Sequence, residues 1–343
     1  MPSTERHRGR LIRERRAFPR AALAFGALLL ASGVAHAAPP EATALDTLVA
    51  AERAFSALSV ESGMKEAFLA NLAGDAIVFR PAPANGRQVW RARSNPKGTL
   101  AWAPDYAEIS GAGDLGVTSG PWEYGSTRNQ PTAFGHFVSV WRRTNDGAWQ
   151  VAVDIGIDHE RPAVGLDAVE LVPGPVHPKP PDPPPDFGSV IYGGPLFTGG
   201  GFDFAPGPGY VPAEDRRRAR ATTEMMTAER SLVYVTRNQG IEQAYRKYAA
   251  DDARIYREGR SPMRGLGEAM SSLSQRGRRV ELAAYRHGIA SSRDLGYSLG
   301  LLITRASPAA RSDTVSYLHV WRRDDAGHWK LAVDVENAFA RRQ

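Results

Sequence analysis

The run D-L-G-V-T-S-G-P-W-E at 114–123 is followed by G-H-F-V-S-V-W-R-R at 135–143 and by D-G-A-W-Q-V-A-V-D at 146–154. Valine, tryptophan, phenylalanine and threonine fill these runs, and Asp146-Gly147 marks a hairpin between the last two. They read as three strands, near 115–123, 134–144 and 148–157, forming an antiparallel meander. Upstream, Leu45, Leu48, Val49, Glu52 and Phe55 recur at helical spacing, a second short helix follows over about 64–73, and a strand covers 76–80. Helices first and a meander afterwards is an α+β order.

The same signals return later in the chain. Ala51-Glu52-Arg53 recurs as Ala228-Glu229-Arg230, and one offset of 177 also aligns Gly63 with Gly240, Asp75 with Asp252 and Arg80 with Arg257. Beyond a small insertion the offset is 180, aligning Asp114-Leu115-Gly116 with Asp294-Leu295-Gly296, Trp141-Arg142-Arg143 with Trp321-Arg322-Arg323, and Asp154 with Asp334. Identity this ordered reads as a tandem duplication, with domains at 38–160 and 222–343. Between them, at 161–221, lies a linker rich in proline and glycine. Phe187, Ile191, Tyr192, Leu196, Phe197, Phe202, Phe204 and Tyr210 punctuate it, so parts of it are expected to dock on a domain surface.

Composition narrows the function. The chain has 343 residues, no cysteine and a formal charge of +6, but residues 1–37 hold seven arginines against two glutamates and so carry five of those six charges. That segment has an arginine-rich start, an apolar run at 21–34 and Ala35-His36-Ala37, which together read as an export signal cleaved after Ala37. Arg15-Arg16-Ala17-Phe18 resembles the core of twin-arginine signals, so either the general or the twin-arginine route leads to the periplasm or the medium. The nearly neutral remainder removes the main support for a nucleic-acid partner. No segment after the signal is long enough to span a bilayer, so no membrane association is expected of the mature chain. Zero cysteine excludes thiolate metal sites and thiol redox chemistry. There is no nucleophile elbow, P-loop or H-E-x-x-H run, and neither cofactor nor metal is expected. Asp158-His159-Glu160 reads as a solvated loop rather than a metal cluster.

The three quoted runs, with the A-E-R helix and Trp102-Ala103-Pro104, resemble the SnoaL-like, nuclear transport factor 2-like superfamily, most closely a branch catalogued as a domain of unknown function of the 4440 type. The second copy keeps A-E-R, D-L-G and V-W-R-R but has Leu282 where Trp102 stands and lacks G-P-W-E. The resemblance implies two cones, each a curved antiparallel sheet wrapped around N-terminal helices, with a pocket at the open end. It also implies back-to-back pairing, within this chain as a pseudo-dimer or between two chains as a homodimer. Ketosteroid isomerase shares the superfamily, but its base position falls near Arg80 and Arg257, and a guanidinium cannot serve as that base.

The candidate pocket residues follow from parity and register. Glu52 and Glu229 lie on apolar helix stripes, where a lone carboxylate is costly, and Arg80 and Arg257 share strand parity with the inward Val78 and Ile255, so a Glu–Arg meeting is expected in each cone. A two-residue turn at Asp146-Gly147 would place Ser139 opposite Asp154. The matching turn at Ala326-Gly327 places His319 opposite Asp334, a pair suited to moving a proton. The expectation is a binder of a small anionic or polar-apolar molecule through Glu52, Arg80, Ser139, Asp154, Glu229 and Arg257. One alternative is a non-metal hydrolase, isomerase or cyclase using His319 and Asp334; another is a periplasmic assembly or scaffold module.

Overall fold

The computed structural model describes residues 43–80, 82–178, 213–273, 279–305 and 313–338. The export signal at 1–37 and the aromatic part of the linker lie outside the described residues. No helix among the described residues is long and apolar enough to cross a membrane.

The first half opens with α1 (Ala44–Ser62), whose start is fixed by a capping box between Thr43 and Asp46. Gly63, at φ +93, turns the chain into α2 (Met64–Asn71). Then follow β1 (Leu72–Phe79), β2 (Pro83–Asn85), α3 (Gly86–Ala92), β3 (Thr99–Trp102), β4 (Tyr106–Ile109), β5 (Leu115–Gly125), β6 (Pro131–Arg143), β7 (Trp149–His159) and β8 (Val172–Pro173). The sheet order is β2-β1-β7-β6-β5-β4-β8, with β3 also on β5. The meander β5-β6-β7 is antiparallel, and β1 joins its last strand in parallel.

The second half repeats this order with α4 (Ala213–Gln239), α5 (Ile241–Tyr248), β9 (Ala249–Arg257), β10 (Met263–Arg264), α6 (Leu266–Leu273), β11 (Arg279–Ile289), β12 (Leu295–Arg305), β13 (Asp313–Arg323) and β14 (Trp329–Ala338). Its sheet runs β10-β9-β14-β13-β12-β11, again with a parallel pairing of the first strand on the last.

Two boundaries differ from the sequence reading. Residues after 160 run along the first sheet, where Val172 donates to Asp105 O at 2.9 Å and Gly174 to Ala107 O at 2.7 Å. And α4 begins nine residues before 222, inside the stretch read as linker. Its first turns are held by Glu214, which pairs with Arg217 and Arg293.

Strand alternation sends side chains to two cores. In β6, Phe137 and Trp141 pack inward with Phe55 and Phe68 of the helices, while Val138 and Val140 face the other way. There they join Ile155 and Ile157 and, from the second half, Tyr256, Leu299, Leu318 and Val333 in one shared apolar cluster. The D-L-G aspartates clamp this junction reciprocally: Gly111 N donates to Asp294 Oδ2 at 2.7 Å, and Ser291 N to Asp114 Oδ2 at 2.9 Å. Gly111 and Ser291 are themselves related by the offset of 180, so the same contact is made twice.

Candidate functional site

The hairpin β6-β7 sets the geometry. Arg143 faces Trp149 and Thr144 N donates to Ala148 O, a longer turn than the two-residue one expected at Asp146-Gly147. A bulge at Ala152 then adds one residue to β7, and beyond it Ser139 stands opposite Asp154 after all. The second half behaves identically: Arg323 faces Trp329, the register shifts at Ala332, and His319 stands opposite Asp334.

The two cones use these positions differently. In the first, Glu52 is fully buried and accepts from Trp102 Nε1 at 2.5 Å, Thr118 Oγ1 at 2.5 Å and Trp141 Nε1 at 2.8 Å. Burial pushes its carboxyl up to about 7 against these three bonds. Ser139 donates to Asp154 Oδ1 at 3.0 Å. Burial also raises Asp154, with the Arg80 charge and the Ser139 bond acting the other way. Arg80 donates to Phe79 O at 2.6 Å, and its guanidinium lies 6.0 Å from the Trp90 ring, which Arg93 also approaches at 5.3 Å.

In the second cone, His319 bridges two buried carboxylates, with Nδ1 2.8 Å from Glu229 Oε1 and Nε2 3.3 Å from Asp334 Oδ1. Ser298 and Trp321 also donate to Glu229, at 2.6 and 2.7 Å. Burial pushes Glu229 up, but His319 and these donors outweigh it and hold the carboxyl below its ordinary value. Asp334 is driven well above its usual range by burial and by the neighbouring Glu336 and Glu229. Arg257 grips Asp334 through Nη1 at 3.0 Å and Glu336 at 3.1 Å, and Tyr245 bonds the same Asp334 carboxylate.

The expected Glu–Arg meeting therefore gives way to other pairings. The reason is strand register: β1 lies parallel to β7 with Val78 beside Asp154, and β9 lies parallel to β14 with Ile255 beside Asp334. Each arginine, two residues further on, is thereby directed at the carboxylate of the last strand rather than at the helix glutamate. The glutamates take tryptophan and hydroxyl donors instead, joined in the second half by His319.

A cavity of about 470 Å³ opens in the first cone. Glu52, Phe55, Met64 and Phe68 of the helices line one side; Trp102, Trp122, Tyr124 and Phe137 form an aromatic wall. Ser139, Asp154, Gly156 and Asp158 give a polar strip along the sheet, and Arg80 and Arg93 stand at its edge. Asn337, from β14 of the second half, completes the lining. Positions equivalent to Phe68, Phe137, Ser139 and Gly156 carry Tyr245, Tyr317, His319 and Glu336 in the second cone, so polar side chains stand there where the first cone has apolar or small ones. Sequence reasoning missed Arg93 and Asn337, one in an irregular connection and one in the other half. Thr118 was accessible by parity, since it sits directly opposite Ser139 on β5.

Of the Asp158-His159-Glu160 cluster, only Asp158 reaches the cavity. His159 Nε2 turns to His136 Nδ1 at 2.6 Å, and no group of three metal-ligating side chains occurs among the described residues.

No protein-family model matches this sequence, and no curated protein matches it. Among solved structures, this chain is similar to a nuclear transport factor 2-like protein from Cytophaga hutchinsonii, 15% identical over 34% of this chain and 98% of that one, with a TM-score of 0.29. It is also similar to a putative scytalone dehydratase from Novosphingobium aromaticivorans, 16% identical over 37% and 87%, TM-score 0.30. A third is a Nostoc punctiforme protein of unknown function with a cystatin-like fold, 13% identical over 35% and 92%, TM-score 0.30. Each spans about a third of this chain. The fold class itself rests on the strand order above: α+β, in two halves, each a mostly antiparallel sheet preceded by two helices.

Proposed function

We propose that this is an exported, tandemly duplicated SnoaL-like protein of the 4440-type branch whose first domain binds a small molecule with an apolar body and an anionic oxygen. The observation that carries this reading is the first-cone cavity: an aromatic enclosure with one polar strip and two guanidiniums at its edge. Pockets of this size and mixture hold small organic ligands, the few polar groups fixing orientation. Arg80 and Arg93 favour a carboxylate or enolate over a neutral group. The aromatic wall favours a flat ring system. The two domains form one intramolecular pair in place of a homodimer, joined by the reciprocal Asp114 and Asp294 contacts.

Calorimetric titration with 2-naphthoate and its uncharged analogue 2-naphthylmethanol tests the ligand class. The carboxylate is expected to bind about tenfold more tightly, the size of one charge-assisted contact. Arg80→Ala with Arg93→Ala should remove the preference. Equal affinities in the unaltered protein would overturn the anionic part of the reading, and binding of neither probe would overturn the cavity reading.

A second reading, acid/base chemistry in the second domain, is favoured by His319 lying between Glu229 and Asp334. Against it, His319 is 3%, Glu229 0% and Asp334 1% exposed, so all three are shut off from solvent. Such a network serves equally as an internal brace. Turnover that survives His319→Ala with folding intact would remove this reading.

A further inference from the structure

The cavity of the first cone is not built by the first domain alone. Asn337 enters from β14 of the second half, one residue beyond the Glu336 that Arg257 grips. Its Nδ2 donates to the carbonyl of Gly156, on the polar strip of the cavity. The juncture is reinforced beside it: Glu258 Oε1 accepts from Asp158 N at 3.1 Å, and Gly259 N donates to Asp158 O at 2.8 Å. The amide is thus anchored by one bond from one of its hydrogens. Its second N–H and its Oδ1 have no other partner among the described contacts, and a carboxamide can donate and accept at once.

We infer that Asn337 is a specificity-determining residue of the first-domain pocket, selecting ligands that carry a hydroxyl or carbonyl close to the anionic group. This rests on the small-molecule reading of the cavity. Gly156 lies two residues beyond Asp154 on β7, and the parallel register that sets Val78 beside Asp154 brings Arg80 level with Gly156 on the neighbouring strand, about 5 Å away. A rigid aromatic acid with a second oxygen about that far from its carboxylate meets both groups. An acid without the oxygen leaves the Asn337 amide facing an apolar edge, which costs an unmade hydrogen bond. The corresponding residue of the first half is the apolar, buried Ile157, so the duplication is asymmetric at this position. The second domain serves as a wall of the first domain's site.

The test compares 2-naphthoate with 4-hydroxy-2-naphthoate by calorimetry on residues 38–343. The unaltered protein is expected to bind the hydroxylated acid about tenfold more tightly, and Asn337→Ala to bring the ratio to about one. Glu258→Ala, which loosens the same juncture without reaching the cavity, is expected to leave the ratio intact. A ratio unchanged in Asn337→Ala, or lost equally in Glu258→Ala, would overturn the role of Asn337 while leaving the cavity reading standing. If neither acid binds the unaltered protein, the cavity reading fails and the role of Asn337 fails with it.

Discussion

Glu52 is a carboxylate on an apolar helix face, kept there by two indole N–H groups and a threonine. Its folded value of about 7 lies above the ordinary 4.5. Between those values the unfolded chain releases the proton while the folded chain keeps it, so stability falls as pH rises through that window. The wild type's advantage over Glu52→Gln should shrink by about 3 kcal/mol between pH 4.5 and 8, measured by urea unfolding. A constant difference would mean that Glu52 ionises in the folded protein as freely as in water. Ionisation also adds a negative charge to the cavity lining. The affinity for 2-naphthoate should therefore drop as pH rises through about 7, and Glu52→Gln should lose that part of the drop.

Among the elements, the β6-β7 hairpin decides which side chains meet in the cavity. Its turn needs Gly147 at φ +87, where an added Cβ would approach only Arg143, at 3.7 Å, so the cost of Gly147→Ala is that of the backbone conformation alone. A loss of about 1 kcal/mol is expected in chemical denaturation. Register also makes Ser139 the position at which the two cones diverge. Ser139→His should set an imidazole between Glu52 and Asp154 as His319 sits between Glu229 and Asp334, filling the polar strip. The expected outcome is at least a tenfold loss of 2-naphthoate affinity with far-UV circular dichroism unchanged, whereas retained affinity would place the ligand away from β6.

The hairpin also shows how far the sequence could be read. Opposition of His319 and Asp334 was legible from a turn assumption that was one residue short, because the bulge at Ala332 supplies the missing residue. The A-E-R glutamates were legible as buried. Their partners were not, since Trp102 and Trp141 reach Glu52 from strands 50 and 89 residues away. Arg80 was legible as inward-facing, but its direction depends on a parallel pairing with β7 that no local pattern encodes. Asn337 carried no local signal at all, because its significance arises only where the halves meet.

For the whole molecule, the duplicated D-L-G aspartates tie the sheets together by equivalent bonds around one apolar cluster. Each of Asp114→Ala and Asp294→Ala should cost about 1–3 kcal/mol, since each strips a charged acceptor from a backbone N–H of the opposite half. The double variant should unfold in two separable calorimetric steps, and a single step would argue that the apolar cluster and the remaining polar contacts suffice to couple the halves. If the two halves form the proposed intramolecular pair, a chain of residues 38–343 should sediment as a monomer, and a stable dimer would count against that pair.

Native mass spectrometry of the mature protein, gently purified from its own source, tests the central claim that the first cone holds a small molecule. A discrete mass excess is expected that disappears in Ser139→His and in Arg80→Ala and survives in His319→Ala. An excess that persists in Ser139→His, or one lost only in His319→Ala, would contradict it and move the ligand to the second domain or elsewhere.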